Sequence, residues 1–193
     1  MKRILIAFMC ILFPGIAYAG PFGTSKGDGI DRYPGAESLG DDTYVVYSLP
    51  KSHPDFDTFL LTIPEKYGLV KIQALSKTIQ NDSAGEKTRA LFSKIQKQLE
   101  SKYGEPEYIL DDINPDSIWK KETEWSIAIA KNERALRARW KVQNDNDEIV
   151  IVGLFVYAKQ KGISTSNTVN IVYYYDNMNE YNNEKQAKES GTL

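Results

Sequence analysis

In the last third of the chain, apolar and polar residues alternate with the period of a β-strand. Over residues 136–142 every second position is apolar, and the positions between them are Arg137, Arg139 and Lys141. This period of two predicts a strand with one buried face. Residues 149–158, by contrast, are apolar at nearly every position. That pattern is typical of a central strand covered on both faces.

A final strand is predicted over residues 169–175, where Tyr173 and Tyr175 fall on the same side. Tyr174 must then point to the opposite side, because successive side chains of a strand alternate between its faces. At least one side of this tyrosine run is therefore predicted to be exposed. A turn at residues 144–147 and a later polar loop separate the strands, so the last third is predicted to be an antiparallel meander.

Strands are also predicted in the first third of the chain. Residues 44–49 form a short run suited to a strand, and residues 56–63 form a better one. The alternation continues through residues 69–74 after a Pro-containing turn. These segments predict two or three antiparallel strands.

A helix is predicted between the two groups of strands. Ser83 with Glu86 three positions later fits a capping box, and Gly104 supplies a stop. Between them, apolar residues recur at helical spacing and form one stripe. The stripe consists of Leu91, Phe92, Ile95, Leu99 and Tyr103.

A second helix is predicted from about Pro115, because proline suits the first helical position and Asn114 is a reasonable cap. Ile118 and Trp125 are expected to face a core, although Glu122 interrupts that stripe. The element order is then β-β-β-α-α-β-β-β.

Such an order predicts an α+β fold, in which two helices pack on one face of an antiparallel sheet. The sequence predicts a single domain over residues 44–176. An irregular lead-in at residues 20–43 and a polar tail at residues 177–193 flank it. The tail is expected either to fray or to form a short helix.

The first nineteen residues have the pattern of a secretory signal. Lys2 and Arg3 precede a ten-residue apolar run over residues 4–13, which is too short to span a bilayer as a permanent helix. Ala17-Tyr18-Ala19 then supplies the small-x-small pattern that a signal peptidase recognises. We expect residues 1–19 to be a signal peptide cleaved after Ala19, which places the product in the periplasm or outside the cell.

Charge and cysteine content restrict the function further. The chain holds 24 basic and 26 acidic residues, and loss of Lys2 and Arg3 leaves 22 against 26, a net charge of about −4. This balance gives no support to nucleic-acid binding, which favours a basic excess. Cys10, the only cysteine, leaves with the signal, so no disulfide is expected. No later apolar stretch reaches the length of a membrane span, so we expect a soluble product without a transmembrane anchor.

Few residues in the sequence are candidates for a catalytic role. His53 is the only histidine and lies between two prolines, where a loop residue is the favoured interpretation over a catalytic base. Paired carboxylates can cleave glycosides without other help, and Glu122 and Glu124 are the candidates, since a carboxylate against Trp125 would have a raised pKa. A surface charge near Lys120 is the favoured interpretation of Glu122.

No metal or cofactor is predicted. Two acidic clusters, at residues 111–116 and 145–148, lack the spacing and central glycine of an EF-hand loop. Both lie where a turn or a helix start favours Asp and Asn. Gly27 and Gly29 lack the third glycine and the preceding strand of a phosphate-binding loop.

Two surface stripes are the candidate binding sites. Arg137, Arg139 and Lys141 are predicted to stand in a row on one side of the sheet, where they can hold anionic groups such as peptidoglycan carboxylates or an acidic patch of a partner. The alternative is a solvated face whose charges pair with neighbouring acids. Tyr173 and Tyr175 form the second stripe, which suits contact with protein or carbohydrate, or else packs across strands.

Several stretches resemble a family of uncharacterised secreted bacterial proteins. They are Phe22-Gly23, the run Tyr67-Gly68-Leu69-Val70-Lys71-Ile72-x-Ala74, Tyr103-Gly104, and Trp125 followed by Glu133-Arg134-x-Leu136-x-Ala138-x-Trp140. Polar residues after Phe22-Gly23 depart from the more apolar lead-in of that family. The resemblance implies bacterial export and an α+β fold, and it transfers no catalytic residue.

The sequence thus favours an exported binding protein of the bacterial envelope, with another envelope or secreted protein as its partner. One alternative is a hydrolase of envelope polysaccharide that uses Glu122 or Glu124. Its two carboxylates should lie about 5–10 Å apart in a cleft. The other alternative is a carrier of a small apolar ligand, which requires an enclosed cavity between helices and sheet.

Overall fold

The protein is α+β, with one antiparallel sheet and helices beside it. A computed structural model describes residues 20–142, 148–162 and 164–191. Within these residues the sheet has nine strands, all of them paired antiparallel. They are β1 (Glu37–Gly40), β2 (Thr43–Val46), β3 (Phe56–Thr62), β4 (Lys71–Ser76), β5 (Ile79–Gln80), β6 (Tyr108–Ile113), β7 (Arg134–Lys141), β8 (Ile149–Lys161) and β9 (Ser164–Tyr175).

The order across the sheet is β1-β2-β3-β4-β9-β8-β7-β6, and the short β5 pairs with one end of β9. The long hairpin β8–β9 occupies the middle, as expected for the nearly continuous apolar run of β8. The prediction that β8 is covered on both faces is wrong, because on one face Ile151 and Phe155 are only half-buried and Tyr157 is exposed. The last strand of the chain pairs with β4 from the first group, so the two groups of strands form one sheet.

Three α-helices accompany the sheet in the described residues: α1 (Glu86–Tyr103), α2 (Trp125–Ala130) and α3 (Met178–Ser190). α1 contacts β8 and β9, and α2 contacts β7, β8 and β9. The strand side chains turned toward α1 and α2 form the core. Those with no measurable exposure include Leu61, Ile72, Ala74, Val152, Leu154 and Val169.

The predicted apolar stripe of α1 is confirmed, since Phe92, Ile95 and Leu99 are buried. Its cap differs from the predicted box of Ser83 and Glu86. Asp82 accepts hydrogen bonds from the backbone N–H groups of Lys87 and Thr88 at 3.1 and 2.8 Å and from the Thr88 hydroxyl at 2.7 Å. The helix begins after Gly85, whose φ of 72° places it in the left-handed region.

The second helix is shorter than predicted and begins later. Asn114 accepts a hydrogen bond from the N–H of Asp116 at 3.0 Å, so it stabilises a turn rather than a helix start. Ser117 makes a similar contact with the N–H of Trp119 at 3.0 Å. The prediction that Ile118 faces a core is wrong, because its side chain is 77% exposed, whereas Trp125 is fully buried as predicted.

The α+β class and the antiparallel sheet are confirmed, but the element count and order differ. A helix, α3, covers most of the predicted polar tail, and β1 lies in the predicted lead-in. β6 lies between α1 and α2, where no strand was predicted. Edge strands such as β1 and β6 have mostly exposed side chains, so their sequences lack a strong apolar alternation.

Two predictions fall outside the described residues: the signal peptide at residues 1–19 and the turn at residues 144–147. Among the described helices, none combines the length and the apolar composition needed to cross a membrane.

Candidate functional site

The sheet has a covered face, which packs against α1 and α2, and an opposite face, here called the open face. On β7 the two faces alternate strictly: Leu136, Ala138 and Trp140 are buried on the covered face. The residues between them lie on the open face, where Arg137 is exposed and Arg139 is half-buried. The predicted basic row therefore lies on the open face.

A groove of about 540 Å³ lies beside this row. Strands β6 to β9 and the end of α2 line it. Tyr108 and Tyr157 at its border are 40% and 58% exposed, so the groove is open to solvent. Its lining includes Tyr108, Asn132, Arg137, Arg139, Ile151, Gly153, Phe155, Tyr157, Val172 and Tyr174.

Gly153 leaves a gap in the side-chain surface of the groove. It pairs with Arg139 on β7 and with Val172 on β9. A Cβ atom at this position would lie 2.8 Å from Cγ1 of Val172, so any larger residue would fill the gap and press on β9. A glycine inside a strand often marks a place where another group approaches the backbone closely.

The groove extends into a split in the sheet. The pairing of β7 with β8 runs from Lys141 opposite Ile151 to Arg137 opposite Phe155. Beyond that point, residues 134–136 pair only with β6, and the rest of β8 pairs only with β9. Side chains of both separated segments line the groove together with Ile129 at the end of α2.

The cations of β7 differ in their partners. Arg134 lies on the same face as Leu136, contacts Asp111 at 3.0 Å and lies over the ring of Trp125. Arg139 has a looser ion pair with Glu107, with Nε and Oε2 3.5 Å apart. Arg137 and Lys141 form no ion pair with any described residue. Arg137 is thus a groove-lining cation with no acid of its own in the described part of the chain.

Tyr174 is the tyrosine that faces the groove. It pairs with Ile151 on β8 and is half-buried. Burial raises the pKa of Tyr174, and the charge of Arg139 only partly opposes that rise. Its hydroxyl therefore stays protonated at neutral pH and is a hydrogen-bond donor at the edge of the groove.

The structure places Tyr173 and Tyr175 elsewhere than on a surface stripe. Both lie in the core on the covered face, with 6% and 1% of their surface exposed. The Tyr175 hydroxyl lies 3.0 Å from that of Thr24, and burial raises the pKa of Tyr175 to about 12. Neither ring is available to a partner, so the second predicted stripe forms cross-strand packing instead.

The hydrolase candidates Glu122 and Glu124 both bind to nearby groups of the protein. Glu122 is exposed and forms an ion pair with Arg89, which lowers the pKa of the carboxyl group. A general acid requires the opposite shift. Glu124 accepts a hydrogen bond from the backbone N–H of Lys121 at 3.0 Å, where it caps a turn. Trp125 is fully buried under the cations of Arg89 and Arg134.

The remaining candidates also have local partners. The ring of His53 packs near Phe56, with centroids 5.2 Å apart, and its Nδ1 accepts a hydrogen bond from the N–H of Asp55 at 3.3 Å. Asp112 accepts a hydrogen bond from the N–H of Ile113. In the part of the chain that the structure describes, no cluster of His, Cys, Asp or Glu can hold a metal ion. Two acids of the second cluster, Asp145 and Asp147, lie outside that part.

Sequence reasoning identified Arg137 and Arg139 of the groove and the opposite orientation of Tyr174, but it missed most of the other lining residues. Tyr108 lies on an edge strand without a clear pattern, and Gly153 and Phe155 lie within a uniformly apolar run. The alternation of side chains along β9 predicted the orientation of Tyr174. Tyr173 and Tyr175 lie on the apolar side with Ile171, so Tyr174 lies on the other side. No family model matches the chain, and neither a curated protein nor a solved structure matches it.

Proposed function

We propose that the protein is an exported binding protein of the bacterial envelope, and that it contacts its partner through the groove on the open face. The observation that carries the proposal is the position of Arg137, a cation at a groove with no described acid as its partner. An unpaired guanidinium favours a carboxylate, which it can hold through two parallel hydrogen bonds.

The partner we propose is another envelope or secreted protein that presents an acidic segment. Arg137, Arg139 and Lys141 lie on one face at successive alternate positions of β7, so they attract a run of negative charge. Tyr108, Phe155 and Tyr157 add aromatic area of the kind that anchors protein interfaces. The combination favours a protein segment over a purely ionic ligand.

The test is capture of the partner with two variants of equal charge. The full chain, with an affinity tag after Leu193, is expressed for export and incubated with envelope and secreted proteins of the source bacterium. In one variant Arg137, Arg139 and Lys141 become Gln. In the control, Lys87, Lys97 and Lys102 of α1 become Gln, which removes the same charge from exposed positions of another element.

A partner recovered in stoichiometric amount should bind the wild type and the α1 control equally. The open-face variant should bind it at least about tenfold more weakly, because each lost charged hydrogen bond removes about 1.5–3 kcal/mol. Equal binding by all three proteins would exclude the open face as the contact surface.

A further inference from the structure

We propose that the groove recognises one extended acidic pattern: an apolar side chain flanked on both sides, two positions away, by carboxylates. The apolar side chain occupies the gap above Gly153. The two carboxylates meet Arg137, which lines the groove, and Lys141, which is exposed on the same face of β7 beyond the groove lining. This inference rests on the proposed function and adds the chemistry of the partner segment.

The seat for the apolar side chain is defined by its neighbours. Gly153 has Ile151 and Phe155 two positions away on the same face of β8, and Val172 beside it on β9. These three side chains surround a position that has no side chain of its own. Because apolar groups border the gap on these sides, an apolar side chain gains contact area there that a polar one would lose.

The cations lie at matching distances from that seat. Arg139 is opposite Gly153, Arg137 is opposite Phe155, and Lys141 is opposite Ile151. Alternate residues of a strand are about 6.5–7 Å apart. Arg137 and Lys141 therefore lie about one such step on either side of the level of Gly153. Arg139 already has Glu107 within 3.5 Å, so the outer two cations are the ones left for a ligand.

An extended peptide reproduces this spacing with its own alternate side chains. When such a peptide lies along the boundary of β7 and β8, the side chains that face the sheet recur every second residue, at the same 6.5–7 Å step. A carboxylate, an apolar group and a second carboxylate at alternate positions then meet Arg137, Gly153 and Lys141 together. A small free acid can pair with only one cation while it fills the gap. The row of cations on β7 therefore favours a polypeptide, which can pair with two.

Two peptides of identical composition test the pattern. The matching peptide is fluorescein-labelled Gly-Ser-Asp-Ser-Phe-Ser-Asp-Ser-Gly. Its isomer, Gly-Ser-Ser-Asp-Phe-Asp-Ser-Ser-Gly, places both carboxylates on the opposite side of an extended chain from the aromatic ring. Binding to the full chain is measured by fluorescence polarisation at low salt, because screening weakens exposed charge pairs. We expect the matching peptide to bind about tenfold more tightly than the isomer.

Variants of the protein assign the contacts. Gly153→Ala should weaken the matching peptide about fivefold or more, because the new methyl group fills the seat and presses on Val172. The dependence on salt should stay unchanged, because no charge is removed. Lys141→Gln should weaken the matching peptide and reduce the salt dependence, and Lys97→Gln is the control of equal charge. If Gly153→Ala does not fold, the peptide pair on the wild-type protein still decides the question.

Each outcome has one meaning. Suppose that the two isomers bind equally and that Arg137→Gln weakens both. This result would overturn the alternating pattern but leave the open face as a binding surface. No peptide binding, while a captured partner still needs the basic row, would overturn the pattern in the same way. Competition by 3-phenylpropionate at the affinity of the matching peptide would overturn the polypeptide as the source of the carboxylate.

Discussion

On β7 the covered and open faces of the sheet hold opposite kinds of residue, although both are made from the same strand. On β7, Trp140 is 1% exposed on the covered face, and its indole N–H donates to the backbone oxygen of Gly104 at 2.9 Å. The next residue, Lys141, is exposed on the open face. The difference teaches that one strand can serve stability and recognition at once, because its side chains alternate between the two faces.

This separation predicts that stability depends on the covered face and binding on the open face. Large side chains removed from the covered face leave cavities beneath α1 and α2. Charges removed from the open face leave only solvated surface. Four main substitutions, each compared with a second variant, test what holds the fold together, from the largest expected effect on stability to the smallest.

The largest effect is expected from Trp140→Ala. The substitution removes a buried aromatic ring and its hydrogen bond, and it should lower the free energy of unfolding by about 3–5 kcal/mol. Phe155→Ala, which truncates a half-buried ring on the open face, should lower it by about 1 kcal/mol. Urea unfolding followed by circular dichroism measures both. Equal losses for the two rings would contradict the division of the sheet into two faces.

The second-largest loss in the free energy of unfolding is expected from Asp82→Ala. The carboxylate caps α1 through hydrogen bonds from the N–H groups of Lys87 and Thr88 and from the Thr88 hydroxyl, and alanine removes all three. We expect a loss of about 1–2 kcal/mol in the free energy of unfolding, the usual value of a helix cap. Ser83→Ala, the cap that the sequence suggested, should change it by less than about 0.5 kcal/mol. A larger loss for Ser83 would contradict the observed cap.

The same carboxylate predicts a dependence on pH. Burial opposes ionisation of Asp82, but hydrogen bonds from Thr88 and Lys87 outweigh it and lower the pKa. A lowered folded pKa means that the unfolded chain takes up the proton first. The stabilisation is therefore complete well above the ordinary Asp pKa of about 3.9 and is lost as the pH falls below it. Asp82→Asn should flatten this part of the stability curve, as measured by urea unfolding between pH 5 and pH 2.

A local effect is expected from Glu184→Gln in α3. No residue of α3 is buried, and Glu184 bridges Lys188, Lys66 and the Tyr67 hydroxyl. These partners lower the pKa of Glu184 to about 2. Hydrogen exchange of α3 should accelerate in the variant while that of α1 stays unchanged. Glu180→Gln, on the exposed surface of the same helix, is the control. Acceleration in α1 as well would show that α3 belongs to the core unit.

Arg137→Gln should have the smallest effect on stability. Arg137 has no ion-pair partner among the described residues, so the free energy of unfolding should change by less than about 0.5 kcal/mol. Leu136→Ala, one position away on the covered face, should lower it by about 2–3 kcal/mol. A loss above about 1 kcal/mol for Arg137→Gln would mean that this cation supports the fold rather than a partner.

Local patterns were sufficient for the larger elements. The alternation in β7, the apolar run of β8 and the stripe of α1 each predicted an element that the structure contains. They succeeded because burial against one side imposes a period of two on a strand and 3.6 on a helix. The same alternation also placed Arg137, Arg139 and Lys141 on one face before any neighbour was known.

Features set by distant contacts were not readable in this way. Pro115 and Asn114 resemble a helix start, yet α2 begins at Trp125, whose ring packs against Gly85 of another segment. The edge strand β6 is defined by its pairing with β7 and not by its own weak pattern. The local sequence is compatible with several start and end points for a helix or strand, and tertiary packing selects among them.

By itself, the sequence determined the α+β class, the main strands, α1 and the row of cations, because each follows from the periodicity of adjacent residues. Only the tertiary structure decided which tyrosine meets the groove, that Gly153 is the gap beside Arg139, and that β7 and β8 separate beyond Arg137. These features depend on which strands become neighbours and in what register. Residues far apart in the chain set that pairing, and no local period encodes it.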